Sequence, residues 1–286
     1  MRLVITEKPS VAGNIAKVLG ADKKKDGYLE GNDCLISWCV GHLIELERPE
    51  AYREEWGKWT YESLPIVPES WKYQVKESTK KQYKILFKLL HDERVSEVVC
   101  ATDAGREGEL IFRLVYEMAE CKKPVKRLWI SSMEERAIRE GFEHLKEGNE
   151  YDNLYDSARC RQQADWLVGI NATRLFSVLN RGKTLKVGRV QTPTLAMLAE
   201  REEKIRNFKK EDYYTVHLQI ENLDMVSRVF ADKKAAEEVA KSCKGGNVIV
   251  TLIVREEKNV MPPLLYDLTT LQRDANRLLG DRKSVV

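Results

Sequence analysis

Hydrophobic positions along the chain follow two different periods. Leu3-Val4-Ile5-Thr6 is a short apolar run bounded by Glu7-Lys8-Pro9-Ser10 and reads as a strand. Val11, Ile15, Val18 and Leu19 then share one helical stripe, with Gly20 placed to end it. Leu35 to Val40 and Val95 to Ala101 read as further strands, the second running into Thr102-Asp103-Ala104-Gly105. The next helix is expected to bury Leu110, Ile111, Leu114, Val115 and Met118. Leu128-Trp129-Ile130 predicts a fourth strand, and Ser132 with Glu135 a capping box for the helix after it. Alternation of this kind predicts an α/β fold: a mostly parallel sheet with helices on both faces, binding ligands at the carboxyl ends of its strands.

The pattern changes at Gly148-Asn149-Glu150, a plausible boundary. Residues 151–210 read as helical, with a break from Asn180 to Gly188. Thr192 as N-cap and Pro193 at the first helical position restart a helix through Leu195, Leu198 and Ile205. Residues 211–286 turn β-like, with Tyr213 to Ile220, Met225 to Phe230 and Val248 to Val254 as strand candidates. Three pieces are therefore expected: 1–150, 151–210 and 211–286, the last a β-rich domain that begins and does not finish.

Composition narrows the class. A chain of 286 residues with 43% hydrophobic residues and a net charge of only +3 is not intrinsically disordered. Its most apolar stretch, Val248 to Val254, falls far short of the roughly 20 residues a membrane span needs, so no membrane partner is expected. The N-terminus reaches Glu7-Lys8 too soon for a signal peptide. Six cysteines without a CxxC pair read as a reduced, cytoplasmic chain with neither a disulfide scaffold nor a zinc site. His42, His91, His144 and His217 are scattered without ligand spacing.

The small net charge hides an asymmetry. Between Arg159 and Arg189 lie seven cations (Arg159, Arg161, Arg174, Arg181, Lys183, Lys186 and Arg189) against one acid, Asp165, so this stretch carries +6 and the remainder −3. It is either a polyanion-binding groove or a solvated helix face. Lys186, Arg189 and Gln191 lie on a turn into the helix expected at Thr192, where free N–H groups and the helix dipole would seat a phosphate. Arg161 and Arg174 could follow the same strand, and Trp59, Tyr61 and Trp166 are candidate base stackers.

Two strand ends carry acids: Glu7 with Lys8, and Asp103 with Glu107 and Glu109 one turn on. In a parallel sheet these ends can meet, and clustered carboxylates hold Mg²⁺ with its waters and a substrate phosphate. Acids in a first helical turn also simply complement the helix dipole.

The motifs themselves are more specific than their periods. Thr6-Glu7-Lys8-Pro9-Ser10 and Ala101-Thr102-Asp103-Ala104-Gly105-Arg106-Glu107-Gly108-Glu109 resemble the two signatures of a Toprim domain. Ala164-Asp165-Trp166-Leu167-Val168-Gly169-Ile170-Asn171-Ala172-Thr173-Arg174, Val187-Gly188-Arg189-Val190-Gln191-Thr192-Pro193 and Pro263-Leu264-Leu265-Tyr266-Asp267-Leu268 resemble motifs of type IA DNA topoisomerases, the topoisomerase III branch in particular. The resemblance runs from residue 1 to about 280. It implies a Toprim (Rossmann-like) domain, a helical DNA-binding domain and the start of a β-rich arch. The implied activity is Mg²⁺-dependent: one DNA strand is cut through a tyrosyl phosphodiester, another is passed through the gap, and the break is resealed. By position, Glu7 resembles the acid at the leaving 3′ oxygen, Lys8 the cation on the scissile phosphate, and Glu7, Asp103 and Glu107 the metal-facing acids. Lys186, Val187, Gly188, Arg189, Val190, Gln191 and Thr192 resemble the single-stranded DNA contact.

Two departures stand out. The family's Asp-x-Asp-x-Glu has Gly105 at its middle position, leaving Glu109 as the only spare carboxylate nearby. None of the eleven tyrosines precedes Pro-Arg, the family's nucleophile motif, and the tail 281–286 does not resemble the family's continuation, so a topoisomerase cut before its nucleophile is expected. Gly182-Lys183-Thr184 imitates a Walker A ending, but Ser177 occupies the place of the required glycine, so no ATP site is expected. The rival readings are a stand-alone Toprim nuclease or primase-like enzyme and a non-catalytic single-strand-binding fragment.

Overall fold

The opening apolar run forms the middle of a seven-stranded sheet. In this computed structural model, which describes residues 1–180, 183–220 and 223–280, the first compact unit is Met1–Asn207. Its elements in chain order are β1 (Arg2–Thr6), α1 (Pro9–Leu19), β2 (Lys23–Lys25), β3 (Tyr28–Gly31), β4 (Cys34–Trp38), β5 (Ile44–Leu46), β6 (Tyr73–Val75) and α2 (Lys80–Leu90). There follow β7 (Glu97–Ala101), α3 (Arg106–Met118), β8 (Val125–Arg127), α4 (Glu135–Glu143), β9 (Lys146–Glu147), α5 (Asp152–Leu179) and α6 (Gln191–Arg206). The sheet order is β2-β3-β4-β1-β7-β8-β9. Strands β4, β1, β7 and β8 are parallel; β2, β3 and β9 add antiparallel edges.

Strand alternation sorts the core into two layers. Leu3, Ile5, Leu35, Val98 and Cys100 face α2, α3 and the start of α5, whereas Val4, Ile36, Val99 and Ala101 face α1 and α4. Leu3, Val4 and Ile5 are fully buried, each contributing about 1.5–3 kcal/mol by transfer from water. Pro9 opens α1, where its missing N–H is no loss, and Gly20 closes it at φ 75°, donating its N–H to the Ala16 carbonyl.

Several local expectations shift. The fourth strand is Val125–Arg127, three residues before the apolar Leu128-Trp129-Ile130, because a fully buried arginine, Arg127, occupies its inward position. Ser132 does accept a backbone hydrogen bond, from Glu134, but α4 starts only at Glu135.

The 28-residue α5 packs along α3 and pins the segment between β5 and β6. Trp166 donates its indole N–H to the Glu47 carbonyl, and Asn171 bonds both the N–H and the carbonyl of Ile66. Around this clamp Tyr52, Trp71 and Trp166 meet edge to face.

The second unit, Phe208–Val286, contains the hairpin strands β10 (His217–Ile220) and β11 (Leu223–Val226), then α7 (Lys233–Cys243) and α8 (Leu268–Leu279). Asp232 and Asp267 cap the two helices. Val248–Val254, expected as a strand, is exposed and has no regular structure, since a β-like sequence needs a ladder partner and a surface to bury against. Among the described residues no helix is long and apolar enough to cross a membrane.

Candidate active site and nucleic-acid interface

Adjacent parallel strands bring the two acidic loops together. Glu7 follows β1 and Asp103 follows β7, and Lys8 lies between them, with Nζ 3.6 Å from Glu7 Oε1 and 3.4 Å from Asp103 Oδ2. Burial raises the Glu7 pKa, the Asp103 charge raises it further, and Lys8 opposes both. The charge of Asp103, then that of Glu7, holds the Lys8 ammonium above its ordinary range. A carboxyl with a raised pKa therefore sits beside a firmly cationic amine.

The Asp103 loop is braced from beneath. Arg127 Nη1 donates to the carbonyls of Cys100, Thr102 and Leu128, and Nη2 to that of Asp103 at 2.8 Å. Thr102 Oγ1 donates to the Gly108 carbonyl at 2.7 Å. A Cβ on Gly108 would fall 2.1 Å from the Asp103 carbonyl oxygen, so only glycine lets α3 start this close to the loop. Gly105 is different: its backbone is extended and a Cβ there meets nothing within 4 Å.

Two acids lie elsewhere than their sequence positions suggest. Glu109 is not a spare carboxylate: it is 1% exposed, with Arg113 Nε at 3.0 Å from one oxygen and Arg127 Nε at 3.0 Å from the other. Glu107 does not join Glu7 and Asp103; Arg161 Nη1 donates to its Oε1 at 2.7 Å, and His42 Nε2 lies 3.6 Å from its Oε2. Burial lowers the His42 pKa, with Glu107 opposing. Among the described residues no three acids, histidines or cysteines converge closely enough for a metal. The donor chemistry nevertheless fits Mg²⁺, which often takes one or two carboxylates and completes its shell with water and phosphate. The Lys8 ammonium already stands as a cation between Glu7 and Asp103.

The expected DNA-binding residues divide similarly. Arg174 is not on the surface: it is 3% exposed, donates to the Trp56 and Lys58 carbonyls and stacks over Trp59. Burial lowers its pKa. Trp59 and Tyr61 are exposed, as a base stacker must be, whereas Trp166 is committed to the clamp. Residues 185–187 are laced to α5, Leu185 N–H donating to Ser177 Oγ and Val187 N–H to Thr173 Oγ1. This presents Lys186, Gly188, Arg189, Val190 and Gln191 as an outward turn. Thr192 is not the helix cap; α6 already begins at Gln191, with Val190 before it. The Gly188 N–H is taken by Thr192 Oγ1 and the Thr192 N–H by the Gly188 carbonyl, while Pro193 has none. Two of the donors expected to seat a phosphate there are thus engaged within the turn, and Lys186 and Arg189 stand exposed beside it.

Three of the seven cations are already in ion pairs. Arg159 pairs with Asp156, Arg161 with Glu107, and Arg189 with Asp165 at 2.5 Å. Arg181 lies outside the described residues, as does the tail 281–286. Sequence reading passed over His42 and Arg127. The first follows β4 at the carboxyl edge of the sheet, which is the one signal that could have drawn attention to it.

Comparison with known proteins adds two family matches. Residues 2–133 match the Toprim domain family, and residues 149–284 match the family described as DNA topoisomerase. Over these two stretches the chain is similar first to Toprim domains and then to DNA topoisomerases. It is 46% identical over 286 residues to a DNA topoisomerase 3 of Bacillus cereus and 43% identical over 288 residues to that of Bacillus subtilis. Each alignment covers 97% of this chain but only 39% of the relative, so the chain spans about two fifths of those proteins. The fold also resembles full-length topoisomerase I from Thermotoga maritima, with TM-score 0.62 and 23% identity, covering 98% of this chain and 44% of that one.

Proposed function

We propose that these residues supply the Toprim and strand-binding parts of a topoisomerase III-like enzyme that cuts, passes and reseals single DNA strands. The observation that carries the reading is Lys8 held between Glu7 and Asp103, on a unit that also presents the Arg189 turn. In this reading Lys8 binds the scissile phosphate, and its raised pKa keeps it charged there. Glu7, whose pKa burial and Asp103 raise, is placed to exchange a proton with the leaving 3′ oxygen as the P–O bond breaks and re-forms. Asp103, with Glu107 once released from Arg161 and Glu7 when ionised, would hold Mg²⁺, which would neutralise charge on the phosphoryl oxygens. We assign the attacking oxygen to none of the eleven tyrosines in this sequence. The division into 1–150, 151–210 and 211–286 belongs to the same reading, as does a cytoplasmic, ATP-independent setting.

Single-stranded DNA is the expected ligand, tracked through phosphates by Lys186 and Arg189 and stacked on Trp59 or Tyr61. Fluorescence anisotropy with a short labelled single strand across a salt series tests this. With three or four phosphate contacts, log K falls against log salt with a slope of about −2 to −3. Arg189→Ala should weaken all sequences alike and flatten the slope by about 0.7, while Lys24→Ala should leave both unchanged. A salt-independent affinity, or Lys24 mattering more than Arg189, would refute the reading.

A further inference from the structure

The ion pairs around Glu107 form one continuous chain. Arg189 Nε and Nη2 lie 2.5 and 3.4 Å from the two oxygens of Asp165. Asp165 Oδ2 is 3.8 Å from Arg161 Nε, and Arg161 Nη1 donates to Glu107 Oε1 at 2.7 Å. His42 closes the far end. Glu107, Arg161, Asp165 and His42 line one cavity of about 350 Å³, and Arg189 is exposed beside Asp165, so water reaches each member of the chain.

We propose that Asp165 is a positioning residue that couples strand binding at Arg189 to metal binding at Glu107. Two guanidiniums compete for the Asp165 carboxylate. Arg189 holds it at 2.5 Å, while Arg161 keeps only a 3.8 Å contact through Nε and directs Nη1 to Glu107 at 2.7 Å. A phosphate that takes Arg189 releases the Asp165 carboxylate, which then draws Arg161 across and frees Glu107 for Mg²⁺. Linkage makes the effect reciprocal: Mg²⁺ on Glu107 must tighten the strand at Arg189 by the same factor. The protein thus withholds one metal-facing acid until a strand is seated. The inference rests on the function proposed above.

Its signature is counter-intuitive, because removing a strand-contacting arginine should improve metal binding with no DNA present. In Arg189→Ala, Asp165 is permanently free to hold Arg161, and Mg²⁺ affinity measured by titration calorimetry should rise about three- to fivefold, the scale of a solvent-exposed ion pair. Removing any nearby cation could help Mg²⁺ through the general field, so Asp165→Asn supplies the control. The same Arg189→Ala change in that background should give no gain, since no carboxylate remains to capture Arg161. A short single-stranded oligonucleotide should raise Mg²⁺ affinity severalfold in the parent and much less in Asp165→Asn. All these residues are on the surface, and circular dichroism checks that each variant is folded. An equal gain from Arg189→Ala in both backgrounds, or no gain in either, overturns the coupling while leaving the metal site intact. Mg²⁺ binding that is absent from the parent, or unchanged by Asp103→Ala, overturns the site assignment itself and the coupling with it.

Discussion

Replacing Arg127 with leucine should be among the most damaging single changes in the first unit. Arg127 is fully buried, and its guanidinium gathers four main-chain carbonyls while facing the buried Glu109. Removing one partner of a buried ion pair costs about 3–5 kcal/mol, because the remaining charge is left without water or a counterion. Glu109 keeps Arg113 on its other oxygen, which moves the expectation to the lower end, about 3 kcal/mol. With a urea slope of about 3 kcal/mol/M for a unit of this size, the midpoint should fall by about 1 M. Trp129, which stacks on Tyr151 beside the Arg127 guanidinium, is a local fluorescence probe for the transition. Glu109→Leu combined with Arg127→Leu should recover part of the loss, the charge having gone, but not the share due to the four carbonyls. A loss below about 0.5 kcal/mol for Arg127→Leu would show that the group is solvated and that the brace beneath Asp103 does not exist.

Three further outcomes follow from the site. The 286-residue chain should form no covalent adduct with labelled single-stranded DNA and Mg²⁺, since no tyrosine here carries the family's nucleophile motif; a band surviving a denaturing gel would show otherwise. Gly105→Asp should tighten Mg²⁺ binding, because the position has room for a side chain and an added carboxylate completes the acid set, and calorimetry reads it directly. Glu7 has a raised pKa in the folded state, so its ionisation opposes folding: any contribution it makes is full below the ordinary carboxylate range and is lost as pH rises through the folded value. Glu7→Gln should therefore stabilise the chain at neutral pH and give no gain near pH 4 or below, as chemical denaturation at the two pH values would reveal.

How far the sequence carries depends on which interactions decide each element. Strand β1 and helix α1 were legible because their core residues are plainly apolar and Gly20 ends the helix by backbone conformation alone. Glu7 and Asp103 could be placed together because parallel topology aligns strand ends. Arg127 misplaced the fourth strand because hydropathy counts an arginine as exposed whatever its partners. Arg174 and Glu109 failed for the same reason: a charge count cannot distinguish a groove cation from one satisfied by buried carbonyls. Thr192 looked like a cap because its type and spacing were right, yet its hydroxyl is used to close the preceding turn. His42 meets Glu107 only through the fold, across a separation no local pattern can see.

The placement of Glu7 and Asp103 on neighbouring strands amounts to a ruler built from main chain. Thr6 pairs with Ala101 in parallel register, and parallel strands lie about 4.8 Å apart in every such sheet. The gap between the two carboxyl-bearing loops is therefore graduated by peptide hydrogen bonds and not by side-chain packing. Drift in the helices on either face can alter how firmly the scale is held, but not its divisions. Only the length of the acid itself adjusts the reading, one methylene at a time.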